Sequence, residues 1–369
     1  MESMVPAGNP IRWLGQQLFN RQNPAVFFDP LLEVVNPLWV RRYLPAQVIG
    51  ITEETHDIRT FELRPASRWG GFRPGQHLNL NVEIDGRWYA RPFTLSCAPQ
   101  QWRRRGTITL TVKKVPDGVV TGWMHDRMAV GDVVGITEAF GDEPNPRPDE
   151  PALFIAGGSG ITPALSQLSA MSEQGRDAPV TLLYFVRTEK DVIRRETLEH
   201  LQQQLPQLTL KVVVSEPAGR VPEYLNEDHL RQIEGLGHHE CFVCGPPGMM
   251  RAAGELLESS GVSPDQIHRT FFVAATPADG GDAEAGGTVT FARSSHEVLV
   301  EDGRSLLEVA EEAGLNPRYG CRMGICHQCS CRKSSGVVMN RLTGRASSPG
   351  EETIQLCISS PRGPVSLDL

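Results

Sequence analysis

The sequence is short of everything that would place it outside the aqueous globular class. No window holds the roughly 18 uninterrupted apolar residues that a spanning helix needs, and Met1 to Pro10 lacks the basic cluster and apolar core of a secretory leader. Positive charge is in deficit: 36 Lys and Arg face 44 Asp and Glu, a net −8. That balance argues against a general nucleic-acid binder, which needs a basic surface to displace counterions. Eight cysteines in 369 residues are too few for a disulfide scaffold. Apolar residues are not in short supply, at 40% with 22% charged, which excludes a mostly disordered chain. The expectation is a cytoplasmic protein of roughly two to three domains.

What is present falls into successive blocks. Residues 1–45 form an N-terminal arm rich in apolar clusters such as Trp13, Leu14, Leu18, Phe19, Phe27 and Phe28, with no continuous helical period. It is read as packed on the next domain or as a contact surface for a membrane or a membrane-bound partner. Residues 46–150 alternate apolar and polar in short runs, with Asp85-Gly86 as a hairpin signal, which predicts an antiparallel β-barrel. Residues 151–275 alternate short apolar runs with helical patterns, which predicts an α/β doubly wound parallel sheet. Residues 276–287 read as a flexible linker, and residues 288–369 as a compact α+β block with a helix over Ser305 to Ala313.

Four of the eight cysteines lie between Cys321 and Cys331. Cys321, Cys326 and Cys329 stand in C-x4-C-x2-C spacing and Cys357 follows later, the spacing of a plant-type [2Fe–2S] site. Structural zinc fits less well, because it usually comes with two close ligand pairs. Cys331 is read as a packed thiol. A [2Fe–2S] centre moves one electron at a time, so the remainder of the chain should supply electrons.

Two strand-to-helix turns are candidates for a nucleotide. Gly157 to Pro163 contains Gly158, Gly160, Thr162 and Pro163, and a second turn contains Cys244, Gly245 and Pro246. Small residues let backbone approach a pyrophosphate, and free amides at a helix start favour anions. Arg187, at the end of the second strand of this domain, suits a 2′-phosphate, so NADPH is favoured over NADH. In the first domain Arg91, Phe93, Thr94 and Ser96 share one strand, a pattern that is unspecific alone.

Together these motifs resemble the ferredoxin–NADP reductase superfamily over residues 46–369, in the order flavin barrel, nicotinamide domain, plant-type ferredoxin. The order is similar to the phthalate dioxygenase reductase and phenylacetyl-CoA epoxidase reductase branch. The resemblance implies that Arg91 pairs with flavin phosphate, Phe93 packs along the flavin, and Thr94 faces its N5 edge. It further implies that Gly118, Val119, Val120 and Thr121 hold the diphosphate of FAD rather than FMN, and that Phe272 covers the flavin. An acid often found in this family at the position of Thr270 is missing here.

Electron counting then gives an NAD(P)H-dependent reductase passing electrons through FAD and [2Fe–2S] to an acceptor. No side chain need act as general acid or base. The family and the apolar arm point to an oxygenase or desaturase acceptor, in particular a membrane fatty-acyl desaturase or alkane hydroxylase. Arg318, Arg322, Arg332 and Lys333 are expected to offer it a basic face. A redox sensor, or the reductase of a soluble Rieske oxygenase, is the alternative.

Overall fold

The computed structural model describes residues 34–40, 43–141, 144–216, 223–272, 286–301, 303–319, 322–324 and 327–369. Most of the N-terminal arm, most of the linker, Cys321 and Cys326 therefore lie outside the described residues.

Alternation builds the first unit. Its strands are β1 (Leu44–Thr55), β2 (Ile58–Pro65), β3 (His77–Ile84) and β4 (Arg87–Thr94), then β5 (Ile108–Lys113) and β6 (Val133–Ile136). Helix α1 (Pro99–Arg105) precedes β5, and α2 (Val119–Asp126) precedes β6. The order β4-β3-β6-β1-β2-β5 is antiparallel throughout. A bridge between Leu95 and Leu110, with Ser96 N–H donating to Thr109 C=O at 2.9 Å, joins the two outer strands and closes the barrel. Phe61, Leu63, Leu78, Leu80, Leu95 and Leu110 are fully buried inside it, each worth about 1.5–3 kcal/mol of transfer free energy. Residues of opposite parity on β3, His77 and Asn79, belong to the outer face of the wall.

The second unit follows from continuous rather than alternating apolar runs. β7 (Ala152–Gly157) is buried along its whole length, as a strand covered on both faces must be. It leads to α3 (Ile161–Gln174), β8 (Val180–Val186), α4 (Arg195–Gln204), β9 (Leu208–Val214) and α5 (Glu227–Arg231). β10 (Glu240–Cys244), α6 (Pro247–Ser259) and β11 (Ile267–Thr270) complete it. The sheet is parallel with order β11-β10-β7-β8-β9, so the chain reverses direction across the sheet between β7 and β10. Ligands of open α/β sheets bind at the carboxyl ends of strands at such a reversal.

The third unit comprises β12 (Gly287–Phe291), β13 (His296–Val300), α7 (Leu306–Glu312), β14 (Ser330–Asn340), β15 (Glu352–Gln355) and β16 (Ser359–Leu367). Its mixed sheet has order β13-β12-β16-β14-β15, with β12 and β16 parallel. The expected helix starts as predicted, because Ser305 and Glu308 satisfy each other's backbone amides in a capping box. The strand begins at Gly287, one residue inside the expected linker.

The first two units are locked together. Ile58 of the barrel packs into the core of the second unit, and the Glu54 carboxylate accepts the Arg194 amide at 3.1 Å. Arg176, buried, donates to the carbonyls of Arg147 (2.7 Å) and Glu150 on the connecting segment.

Candidate functional site

The barrel wall beside the second unit carries polar atoms that nothing in the chain satisfies. His77 and Thr94 are cross-strand partners on β3 and β4, and Asn79 opposes Pro92. His77 is 1% exposed and neither ring nitrogen has a partner. The Thr94 hydroxyl and the Asn79 amide oxygen are buried and unpartnered as well. Buried polar groups are nearly always bonded, so three on one face of two paired strands mark a place where something else is received. The His77 ring stacks on Phe140 and meets Phe272 edge-on, both with centroids 6.3 Å away. Burial pulls its pKa down to about 4, so the imidazole is neutral at physiological pH. The reading of the sequence had left His77 as a packing or surface residue. Its signal was a polar residue at a barrel-wall position with no charge nearby to pair it.

Arg91 is exposed on β4, and among the described residues its bond is to the carbonyl of its own neighbour Ala90, at 2.8 Å. Phe93 packs against the barrel core. Ser96 departs from expectation. Its hydroxyl is buried among Thr109 and Thr111, 3.1 and 3.0 Å from theirs, and so serves the wall that closes onto β5 rather than a ligand. Gly118 to Thr121 is not an open loop but the start of α2, with Gly118 as its N-cap. A Cβ on Gly118 would collide with the Thr121 hydroxyl. That hydroxyl accepts the Val115 amide at 3.2 Å and folds the turn. Val120 is buried while Val119 is 48% exposed, at the mouth of a cleft of about 740 Å³. The same cleft is lined by Asp57, Lys113, Lys114 and, from the second unit, Arg187. The lysines there already face Asp57 (3.5 Å) and Asp126 (2.6 Å). Arg187 is exposed and makes no ion pair among the described residues.

The two glycine-containing turns meet at the sheet reversal. Gly160 lies so close to the Cys244 carbonyl that any Cβ would overlap it, so the turn after β7 and the turn after β10 form one backbone surface. Helix α3 begins at Ile161, earlier than expected. Thr162 therefore sits inside its first turn, its hydroxyl donating to Ser159 C=O at 3.2 Å, with Pro163 buried behind it. Gly158 adopts the left-handed conformation (φ +52). The Gly158–Gly160 turn lies against β5 of the barrel, and Gly245 and Pro246 pack against Gly157 across the reversal.

In the third unit Cys329 and Cys357 are buried, with sulfurs 3.2 Å apart. A disulfide would need about 2.05 Å, whereas two thiolates on one tetrahedral ion with bonds near 2.3 Å stand roughly 3.7 Å apart. The pair is thus set for a shared metal. Cys321 and Cys326 lie outside the described residues. Gln355 braces the loop by donating to the Gly324 carbonyl at 2.8 Å. Cys331 is buried in the core, and burial raises its thiol pKa. The cations expected to form a basic face are largely committed elsewhere. Arg322 pairs with Glu311 at 2.5 Å and lies 4.2 Å above the Tyr319 ring, and Arg332 pairs with Glu351 at 2.6 Å. Lys333 is fully buried, its ammonium on the carbonyls of Ser348 (2.9 Å) and Gly350. Arg318 alone of the four remains exposed without a partner among the described residues.

Comparison with known proteins bears on each unit. Residues 45–142 match the oxidoreductase FAD-binding domain, 154–255 the oxidoreductase NAD-binding domain, and 289–362 the 2Fe-2S iron-sulfur cluster binding domain. An NADPH oxidoreductase of Mycobacterium tuberculosis is 32% identical over 92% of this chain and 88% of its own length. The glycine betaine monooxygenase reductase subunit of Chromohalobacter salexigens is 28% identical over 93% of this chain and 99% of its own. Among solved structures, phthalate dioxygenase reductase superposes with a TM-score of 0.58 at 21% identity, over 89% of this chain and 98% of that one.

Proposed function

The chain belongs to the ferredoxin–NADP reductase superfamily, in the branch with a C-terminal [2Fe–2S] domain, and from that premise we propose that it is the NADPH-dependent reductase component of an oxygenase or desaturase system. It is an oxidoreductase that uses FAD, a nicotinamide nucleotide and a [2Fe–2S] cluster. Bound FAD takes two electrons from the nucleotide together and releases them singly to the cluster.

The residues divide that work. Arg91 is free to pair with the flavin diphosphate, and the amides at the start of α2 favour the same charge. The unpartnered Thr94 hydroxyl suits the polar edge of the isoalloxazine, with Phe93 and Phe272 supplying apolar contact. The joined turns at Gly158, Gly160, Cys244, Gly245 and Pro246 would admit the nicotinamide and pyrophosphate, with Thr162 and Pro163 shaping the first of them. Arg187 would take the 2′-phosphate. Cys321, Cys326, Cys329 and Cys357 would ligate the cluster.

The observation that carries this reading is the row of unsatisfied buried atoms on His77, Asn79 and Thr94 beside the turns of the parallel sheet. For the acceptor, the relatives named as monooxygenase and epoxidase reductase subunits support an oxygenase. The apolar arm supports one at a membrane, such as a fatty-acyl desaturase or alkane hydroxylase. No helix among the described residues is long and apolar enough to cross a membrane. Reconstitution with membrane and soluble oxygenases and with desaturases, using NADH and NADPH in parallel, tests the assignment. Rapid cytochrome c reduction is expected. A flavoprotein that turned over slowly with every acceptor would instead be a redox sensor.

A further inference from the structure

We propose that Ser166 is a positioning residue that sets the gap between the nicotinamide turn and Thr94. Ser166 lies on the nucleotide helix α3, is completely buried, and spends its hydroxyl wholly on the other domain. It accepts the Gly75 amide at 3.1 Å and donates to the Cys97 carbonyl at 2.8 Å. Gly75 stands two residues before His77, where β3 begins, and Cys97 three residues after Thr94, where β4 ends. These two barrel segments are themselves joined by Leu95 N–H donating to Gln76 C=O at 3.0 Å. Along α3, Ser166 is six residues past Gly160, or about 9 Å of helix rise. A single hydroxyl therefore ties the element that carries the nucleotide turn to both strand ends that carry the unpartnered pair.

The other direct clasp described between the domains, Glu54 on the Arg194 amide, holds the end of the β1–β2 hairpin and touches neither element. Side chains elsewhere on α3 do not reach across in this way. Ser172 spends its hydroxyl on its own helix, at Ser169 C=O (2.9 Å). Transfer between two bound rings requires reacting atoms about 3–3.5 Å apart, and a 1 Å misplacement costs ~100-fold. Removing the hydroxyl leaves a buried amide and a buried carbonyl unpaired at the seam, so the domains must part there or admit water.

The inference rests on the assignment of Thr94 and Gly158–Gly160 to the flavin and the nucleotide. Its test compares Ser166→Ala with Ser172→Ala in the full flavin-loaded chain. For S166A, amide hydrogen exchange at Gly75 is expected to accelerate, and the charge-transfer absorbance between nucleotide and flavin to fade. Anaerobic flavin bleaching should slow by ~10–100-fold with a changed primary deuterium isotope effect. Flavin content and chemical reduction by dithionite should stay at parent values, and S172A should match the parent throughout. S166A bleaching at the parental rate with an unchanged isotope effect, or S166A losing its flavin, overturns the proposal while leaving the functional reading intact. A parent protein without isoalloxazine removes both.

Discussion

Arg91 and Arg322 both stand beside a proposed redox group, and the chain treats them in opposite ways. On the flavin barrel the arginine bonds only to its neighbour's carbonyl and the buried polar atoms nearby are unsatisfied. On the ferredoxin domain Arg322, Arg332 and Lys333 are tied to Glu311, Glu351 and the carbonyls of Ser348 and Gly350. The contrast teaches which polar groups await a ligand and which hold the fold. Charge left unmatched in the folded chain is available for binding, whereas charge matched within it is structural.

The strongest way to test that contrast is at the sulfurs. Cys357→Ser should lose iron and acid-labile sulfide and cut cytochrome c reduction by ~100-fold or more, since even changes outside the ligand shell cost 10–100-fold at metal sites. Ferricyanide reduction at the flavin should persist. Equal loss of both activities would mean that the third domain is not a separate electron outlet.

Next is His77. Its pKa falls from an ordinary 6.5 to about 4 on folding, so between those values the unfolded chain binds more protons and stability rises with pH. Acidifying from pH 7 to 4 should cost up to ~3 kcal/mol through this group. Urea unfolding across that range should show a shallower acid limb in His77→Phe; identical limbs would refute a buried neutral imidazole.

Arg91→Ala should weaken FAD binding by ~10–100-fold, the worth of a charge-assisted bond, read by fluorescence on reconstituting the apoprotein. Arg187→Ala should raise the KM for NADPH more than that for NADH, because only NADPH carries the 2′-phosphate. Arg322→Gln and Arg332→Gln should change electron transfer to an acceptor by no more than about twofold, as exposed pairs contribute little. A tenfold loss there would restore the basic docking face and erase the contrast.

Periodicity and spacing made the three folds legible. Alternation marked the barrel, buried runs between glycine turns marked the parallel sheet, and the Cys321–Cys357 spacing marked the cluster. Pairing was not legible, because it depends on residues brought together by the fold. Glu311 lies 11 positions before Arg322, and Glu351 19 after Arg332. Ser96 was misjudged for the same reason: its partners Thr109 and Thr111 sit on a strand beyond α1. The importance of His77 and Ser166 likewise depends on which groups surround them in space, and no local motif carries that.

An anaerobic titration with NADPH followed by visible absorbance and electron paramagnetic resonance bears most directly on the whole account. Three electrons fill one FAD and one [2Fe–2S] cluster, so bleaching should end near about 1.5 equivalents of nucleotide, with the signal of a reduced cluster. A titration ending at about one equivalent without that signal, or a colourless protein containing zinc, would contradict it.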